Sequence, residues 1–216
     1  IIRRDLNKLH LAHARLKVID ITAQSNQPFL SPCGRWALVY NGEIYNYREL
    51  KSEIGDRWAW RTKSDTEVIL AAWSLWGEGS LDRLVGMFAF VIHDATKNKL
   101  TIVRDRFGIK PLYYTHENNQ WYFASEIPPL LRFQKHIRED KSVLRTYLEL
   151  GLYDHSDSTF FHGIKSLQAG CMLELDLLSG AQKLANWYDL SSHIPDLSGA
   201  SVQELTDQCE QMIMQA

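Results

Sequence analysis

Short runs rich in β-branched and aromatic residues recur along this chain at 36–40, 87–92, 100–104, 112–115, 121–125 and 172–177, each closed by polar residues. Such runs suit a pleated, packed surface and read as strands. What constrains the fold most is how little chain joins them. Thr96-Lys97-Asn98 separates the second run from the third, Glu117-Asn118-Asn119 the fourth from the fifth, and Ser179-Gly180 turns the last back toward Ala185-Asn186-Trp187-Tyr188. Connections of that length join antiparallel neighbours, because a parallel pair needs a crossover of roughly a dozen residues or more. Runs such as Met87-Phe88-Ala89-Phe90-Val91-Ile92 are apolar at consecutive positions, so their sheets are covered on both faces. Helical spacing marks Tyr47–Ile54, Asp65–Trp76 and Lys141–Leu150. The pattern predicts an α+β architecture of two mostly antiparallel sheets packed face to face with helices outside them.

Charge narrows the function. With 24 Lys and Arg against 26 Asp and Glu, interspersed, the net charge is −2. No long-range positive field gathers phosphates, so neither nucleic acid nor an anionic membrane surface is an expected partner. The longest nearly apolar run, 85–92, falls far short of the ~20 residues of a membrane span. Three cysteines, Cys33, Cys171 and Cys209, are odd in number and widely spaced, which suggests neither a disulfide framework nor a zinc site and fits a reducing cytoplasm. The ends read as cuts from a longer protein. Ile1-Ile2-Arg3-Arg4 has the character of neither a start nor a targeting signal. Ser201 and Glu204 form a capping pattern before a helical face of Leu205, Cys209, Met212 and Ile213 that has nothing downstream to pack on.

Two segments could carry chemistry. Asn41-Gly42-Glu43 follows a strand and precedes a helix. Asn-Gly is a strong turn signal, and that is the simplest reading. The functional alternative is an amide side chain, an unobstructed N–H and a carboxylate presented together at a strand end, a set able to hold an oxyanion and an amine. Ser64-Asp65-Thr66-Glu67 is accounted for by helix capping alone. Neither decides the matter singly.

The ordered set does. His13-Ala14-Arg15-Leu16-Lys17-Val18-Ile19-Asp20, Asn26-Gln27-Pro28, 41–47, 64–68, Trp76-Gly77, Gly86-Met87-Phe88-Ala89-Phe90, Arg104-Asp105-Arg106-Phe107-Gly108-Ile109-Lys110-Pro111-Leu112-Tyr113-Tyr114 and Phe123-Ala124-Ser125-Glu126 occur in the order and spacing of one family. The chain resembles the glutamine-hydrolysing domain of asparagine synthetases, a class II glutamine amidotransferase, from about His10 to about Leu190. The resemblance implies the four-layer αββα sandwich of N-terminal-nucleophile hydrolases. It divides the chain into an N-terminally incomplete amidotransferase domain at 1–190, a linker at 191–200 and the start of an ATP-dependent synthetase domain at 201–216. Its nucleophile is an N-terminal cysteine whose α-amino group acts as base. That cysteine has no match in this sequence, so the polypeptide as given is expected to be inactive. Cys33-Gly34 is a poor substitute, inside a loop and with no histidine placed by the motif.

The same resemblance implies site roles. Arg15 would clamp the α-carboxylate of glutamine through a planar fork. Leu16, Lys17, Val18 and Ile19 would line the pocket, and Glu43 and Asp65 would contact the substrate end, with Asp65, at a helix start, the better placed to accept from the α-ammonium. The Asn41 side chain and the Gly42 N–H would form the oxyanion hole, glycine being needed because a Cβ would obstruct the intermediate. No metal ligands and no cofactor are expected in this chain. ATP and magnesium belong to the synthetase domain, which would receive ammonia along an internal path and amidate aspartate or a related carboxylate. A homodimer is compatible with the sequence. Arg104, Asp105, Arg106 and Lys110 read as an internal ion-pair network supporting the pocket. His10 and His13, three apart in a strand, would face opposite sides and hold no metal. The competing readings are a homologue without its nucleophile, serving as scaffold or glutamine sensor, and a non-catalytic interaction domain.

Overall fold

The computed structural model describes residues 2–6, 9–16 and 19–215; Lys17 and Val18, expected along the pocket, lie outside the described residues. A hairpin of β1 (Ile2–Leu6) and β2 (Leu9–His13) opens the chain. The central element is a six-stranded antiparallel sheet containing β3 (Phe29–Leu30), β4 (Trp36–Ile44), β5 (Gly86–Asp94), β6 (Lys99–Arg104), β10 (Cys171–Asp176) and β11 (Gln182–Asn186), in the order β11-β10-β6-β5-β4-β3. A smaller sheet of β7 (Tyr113–Glu117), β8 (Gln120–Ala124) and β9 (Lys165–Ser166) has the order β8-β7-β9. Asn98, Asn118 and Asn119 take the left-handed conformation in the two hairpins expected there, a conformation asparagine tolerates.

Helices α1 (Tyr47–Ile54) and α2 (Asp65–Trp76) cover one face of the six-stranded sheet and occupy the ranges their spacing predicts. Ser64 caps α2 by accepting the Thr66 N–H. On β5, the side chains alternate between two cores. Phe88, Phe90 and Ile92 pack with Leu38, Val68, Leu70 and Trp73 toward the helices. Ala89 and Val91 pack with Ile102, Leu112, Leu167 and Leu173 toward the smaller sheet. Each fully buried Phe or Leu contributes about 1.5–3 kcal/mol, and a strand buried on both faces draws on two such cores at once. That is why its sequence is continuously apolar. The second outer layer is thinner than the first. It contains α3 (Ile127–Leu131), a short helix against β7 and β8, followed by α4 (Lys141–Leu150), whose start Asp140 caps by accepting the Ser142 and Val143 N–H groups. An exposed stretch leads to α5 (Val202–Gln215), which begins with the capping box read from Ser201 and Glu204.

Candidate active site

Strand β4 does not turn at Asn41-Gly42. It continues to Ile44, with Asn41, Gly42, Glu43 and Ile44 opposite Ala89, Phe88, Met87 and Gly86 of β5. The simplest reading of Asn-Gly as a turn is therefore wrong, and the reason is steric. Gly42 has φ +154°, and a Cβ there would stand 2.1 Å from the Met87 carbonyl oxygen and 2.8 Å from the Phe88 Cα. Glycine is required because the backbone of β5 occupies the place of a side chain, which is a cause independent of any bound substrate.

The other edge of β4 is mostly open, since β3 pairs only with Ala37 and Leu38. Beyond that point side chains replace a strand. The Tyr40 N–H donates to Gln27 Oε1 at 2.6 Å, and the Ile44 N–H donates to Asp65 Oδ2 at 3.2 Å. The two-residue alternation of a strand puts the intervening Gly42 N–H on this same edge. Asn41 and Glu43 point to the opposite face from Tyr40 and Ile44, toward the smaller sheet. Both are half-buried, and neither side chain has a hydrogen-bond or ion-pair partner among the described residues.

Asp65 opens α2 and is buried. Its carboxylate accepts from the Tyr40 hydroxyl at 2.8 Å, the Ile44 N–H at 3.2 Å, the Thr66 N–H at 2.9 Å and the Ser64 hydroxyl at 3.3 Å. All four donors are neutral, and no ion pair among the described residues reaches it. A buried carboxylate left without a cation is costly, so the place favours a positively charged guest. The Tyr40 phenol is held protonated, its pKa pushed far up by burial and by the Asp65 charge beside it.

Arg15 enters through a relay. Its guanidinium donates to the Asp20 carbonyl and, at 3.2 Å, to the Thr22 carbonyl, which leaves the rest of its five N–H groups for a ligand. Asp20 accepts the Lys63 N–H at 2.9 Å, so the Arg15 loop is tied to the residues just before Asp65. Burial works against the charged form of Asp20, yet the Thr22 hydroxyl and the Lys63 and Thr22 N–H groups hold it far below the ordinary carboxylate range. Named bonds thus tie Arg15 through Asp20 to Lys63, and Asp65 to Tyr40 and Ile44, the residues on either side of 41–43. Ile19 is half-buried in the same loop, whereas Leu16 is exposed. Asp20, Gln27 and Tyr40 were missed as contributors. Each stands in or beside a motif quoted above as a polar group without a role, and that was the available signal.

The segment after β6 differs from its reading as an ion-pair network. The Asp105 carboxylate accepts the N–H groups of Phe88, Phe107, Ile109 and Lys110. Arg104 donates to the carbonyls of Gly108, Lys110 and Leu167 and to the Ser166 hydroxyl, with its one carboxylate, Asp154, at 3.6 Å. Arg106 donates to the carbonyls of Leu81, Asp82 and Leu84 under the rings of Trp187 and Tyr188. The charges meet backbone dipoles rather than each other, because the tight loop turns its amides inward onto Asp105. Cys33 has its thiol pKa lowered by the Ser31 hydroxyl and the Arg35 N–H. It precedes β4, however, while Asn41 follows Trp36 by five residues of strand, about 17 Å at 3.4 Å per residue. Cys33 and the Asn41 group therefore lie toward opposite ends. Among the described residues no group of three His, Cys, Asp or Glu side chains is placed to hold a metal ion, and no helix is long and apolar enough to cross a membrane.

The architecture is that of the amidotransferases. A glutamine phosphoribosylpyrophosphate amidotransferase from Bacillus subtilis superposes with a TM-score of 0.56 at 20% identity, covering 82% of this chain and 34% of that one. The model of the glutamine amidotransferase domain family matches residues 4–188, and the chain belongs to that family. Glutamine-hydrolysing asparagine synthetase 2 of B. subtilis is 38% identical over 189 residues, 85% of this chain and 25% of that protein. Glutamine-hydrolysing asparagine synthetase B of Escherichia coli is 44% identical over 130 residues, 60% of this chain and 23% of that protein. The chain spans about a quarter of the length of these relatives.

Proposed function

We propose that this chain is the glutaminase part of an ATP-dependent, glutamine-hydrolysing amidotransferase that transfers ammonia to aspartate or a related carboxylate. The observation that carries the reading is the open edge of β4: the unpartnered side chains of Asn41 and Glu43 flank a Gly42 N–H that no neighbouring strand covers. Arg15 binds the α-carboxylate with the N–H groups its loop leaves free, and Leu16 and Ile19 border that end of the pocket. Glu43 and the uncompensated charge of Asp65 receive the α-ammonium. As a thiolate adds to the side-chain amide, the negative charge gathering on its oxygen is met by the Asn41 carboxamide and the Gly42 N–H. Residues 1–190 form this domain, 191–200 a linker, and α5 the opening of the synthetase domain that consumes the ammonia. ATP and magnesium act in that synthetase domain. The unpaired cysteines fit a cytoplasmic location.

The test is Asn41→Ala in the full-length protein. Loss of one oxyanion donor is expected to lower glutamine hydrolysis by about 10²–10³, with the KM for glutamine changed only modestly. Synthesis from supplied ammonium is expected to persist. A glutaminase rate within a few-fold of the parent would remove Asn41 from the site.

A further inference from the structure

Tyr40, Gly42 and Ile44 share the helix-facing side of β4, and Asp65 bonds the first through its hydroxyl and the last through its N–H. The Tyr40 ring must pass over position 42 to make that bond: its Cε2 lies 2.9 Å from where a Cβ of residue 42 would be. The absent side chain of Gly42 thus opens the path by which the phenol reaches Asp65. Tyr40 is itself fixed. It is 3% exposed, its N–H is bound by Gln27, and its carbonyl meets the His13 imidazole.

From this arrangement we infer that Tyr40 is a positioning residue for glutamine recognition, holding the Asp65 carboxylate in the orientation that receives the α-ammonium. The inference rests on the glutamine reading given above. Asp65 lies at a helix start with two donors from its own turn, Ser64 and Thr66, both on Oδ1. Those bonds fix one oxygen and leave the carboxylate plane free to swing. Among the described residues the second oxygen is fixed from β4, by the Ile44 N–H at 3.2 Å and the shorter, hydroxyl bond from Tyr40 at 2.8 Å. Removing the hydroxyl leaves the ring, and hence the packing, in place. It releases the oxygen on the side toward the site. The titratable neighbours of the phenol besides Asp65 are Glu43 and Tyr45, both of β4 or its end, and neither offers Asp65 a replacement donor.

The experiment compares two ligands on the full-length protein and its Tyr40→Phe variant by calorimetry: glutamine, and the same amide lacking the α-amino group, 5-amino-5-oxopentanoate. Tyr40→Phe is expected to weaken glutamine about tenfold and the desamino ligand by less than twofold, with kcat for hydrolysis within twofold of the parent and the rise confined to KM. In an Asp65→Asn background the Tyr40→Phe effect on glutamine is expected to vanish, because the acceptor it orients is gone. Equal loss for both ligands, loss for neither, or a fall in kcat at constant KM overturns the role given to Tyr40 and leaves the glutamine reading standing. Failure of the parent protein to bind glutamine at all overturns both. If Tyr40→Phe does not fold, Asp65→Asn alone decides: weakening of both ligands alike overturns the inference.

Discussion

Replacing Asp105 by Asn changes one oxygen into an NH2 group at almost constant volume, and the structure makes that small change expensive. Asp105 is 1% exposed. Its Oδ1 accepts from Phe107 at 3.1 Å and Ile109 at 3.0 Å, its Oδ2 from Phe88 at 3.2 Å and Lys110 at 2.9 Å. Whichever way an asparagine amide is turned, two backbone N–H groups face an NH2 and lose their acceptor. Each buried donor left unmade costs about 1–3 kcal/mol, so the pair costs about 2–6 kcal/mol, a large share of the roughly 5–15 kcal/mol that holds a domain together. At about 2–4 °C per kcal/mol for a chain of this size, the expected drop in Tm is roughly 5–20 °C. Asp105→Ala removes the acceptor from all four N–H groups, that of the fully buried Phe88 included, and is expected to cost at least as much as Asp105→Asn. Urea and thermal unfolding followed by tryptophan fluorescence measure both variants. A Tm for Asp105→Asn within about 2 °C of the parent would show that the four acceptor bonds do not hold this loop.

Gly42→Ala is expected to cost about 3 kcal/mol or more, because the new Cβ must displace the Met87 carbonyl from 2.1 Å; unfolding free energies check it, and a loss below about 1 kcal/mol would contradict the close approach of β5. Arg15→Lys, which exchanges a planar fork for a point charge, is expected to raise the KM for glutamine at least tenfold while ammonium-dependent synthesis survives; equal falls in both activities would mean that the bonds to Asp20 and Thr22 make Arg15 a strut of the fold. Asp20 has a folded pKa far below its unfolded value of about 3.9, so its bonds contribute fully above pH 4 and are lost as pH falls toward the folded value. Tm measured from pH 6 down to pH 3 is expected to decline less steeply in Asp20→Asn than in the parent, and an identical slope would remove Asp20 from the acid response.

The helices and hairpins were legible because their signals are local. Ser64 caps the helix its position promises, α4 spans the range its spacing predicts, and the turn asparagines take the left-handed conformation. The course of β4 was not legible. Whether Asn41-Gly42 turns or stays extended depends on how near β5 comes, a fact of pairing that no window along the sequence contains. The charged segment after β6 was misread for a related reason: composition shows that Arg104, Asp105, Arg106 and Lys110 bring both signs together, but not that the loop's amides point inward and satisfy Asp105 first. Tyr40 escaped notice because a tyrosine in a buried strand is ordinarily core, and only the position of Asp65 gives its hydroxyl a partner.

The site follows from a mismatch of strand lengths. β4 is nine residues long and β3 only two, so among the described residues most of one edge of β4 has no paired strand. Exposed edges recruit other chains unless they are blunted, and here side chains do the blunting: Gln27 takes the Tyr40 N–H and Asp65 takes the Ile44 N–H. Alternation leaves one donor between them, at Gly42, the position where a Cβ cannot fit against β5. In the proposed reading, a single open N–H on a rigid strand, with the Asn41 carboxamide next to it, would meet developing charge without rearrangement. The rigidity comes from beneath, where the Asp105 carboxylate and carbonyl are bound to Phe88 and Gly170 and so anchor the residue paired with Gly42. Weakening that anchor should therefore reach the glutaminase rate before it unfolds the domain, so Asp105→Asn assayed below its melting transition is expected to lose hydrolysis of glutamine in kcat while keeping its KM. A variant that loses stability yet hydrolyses glutamine at the parental rate would separate the anchor from the oxyanion donor.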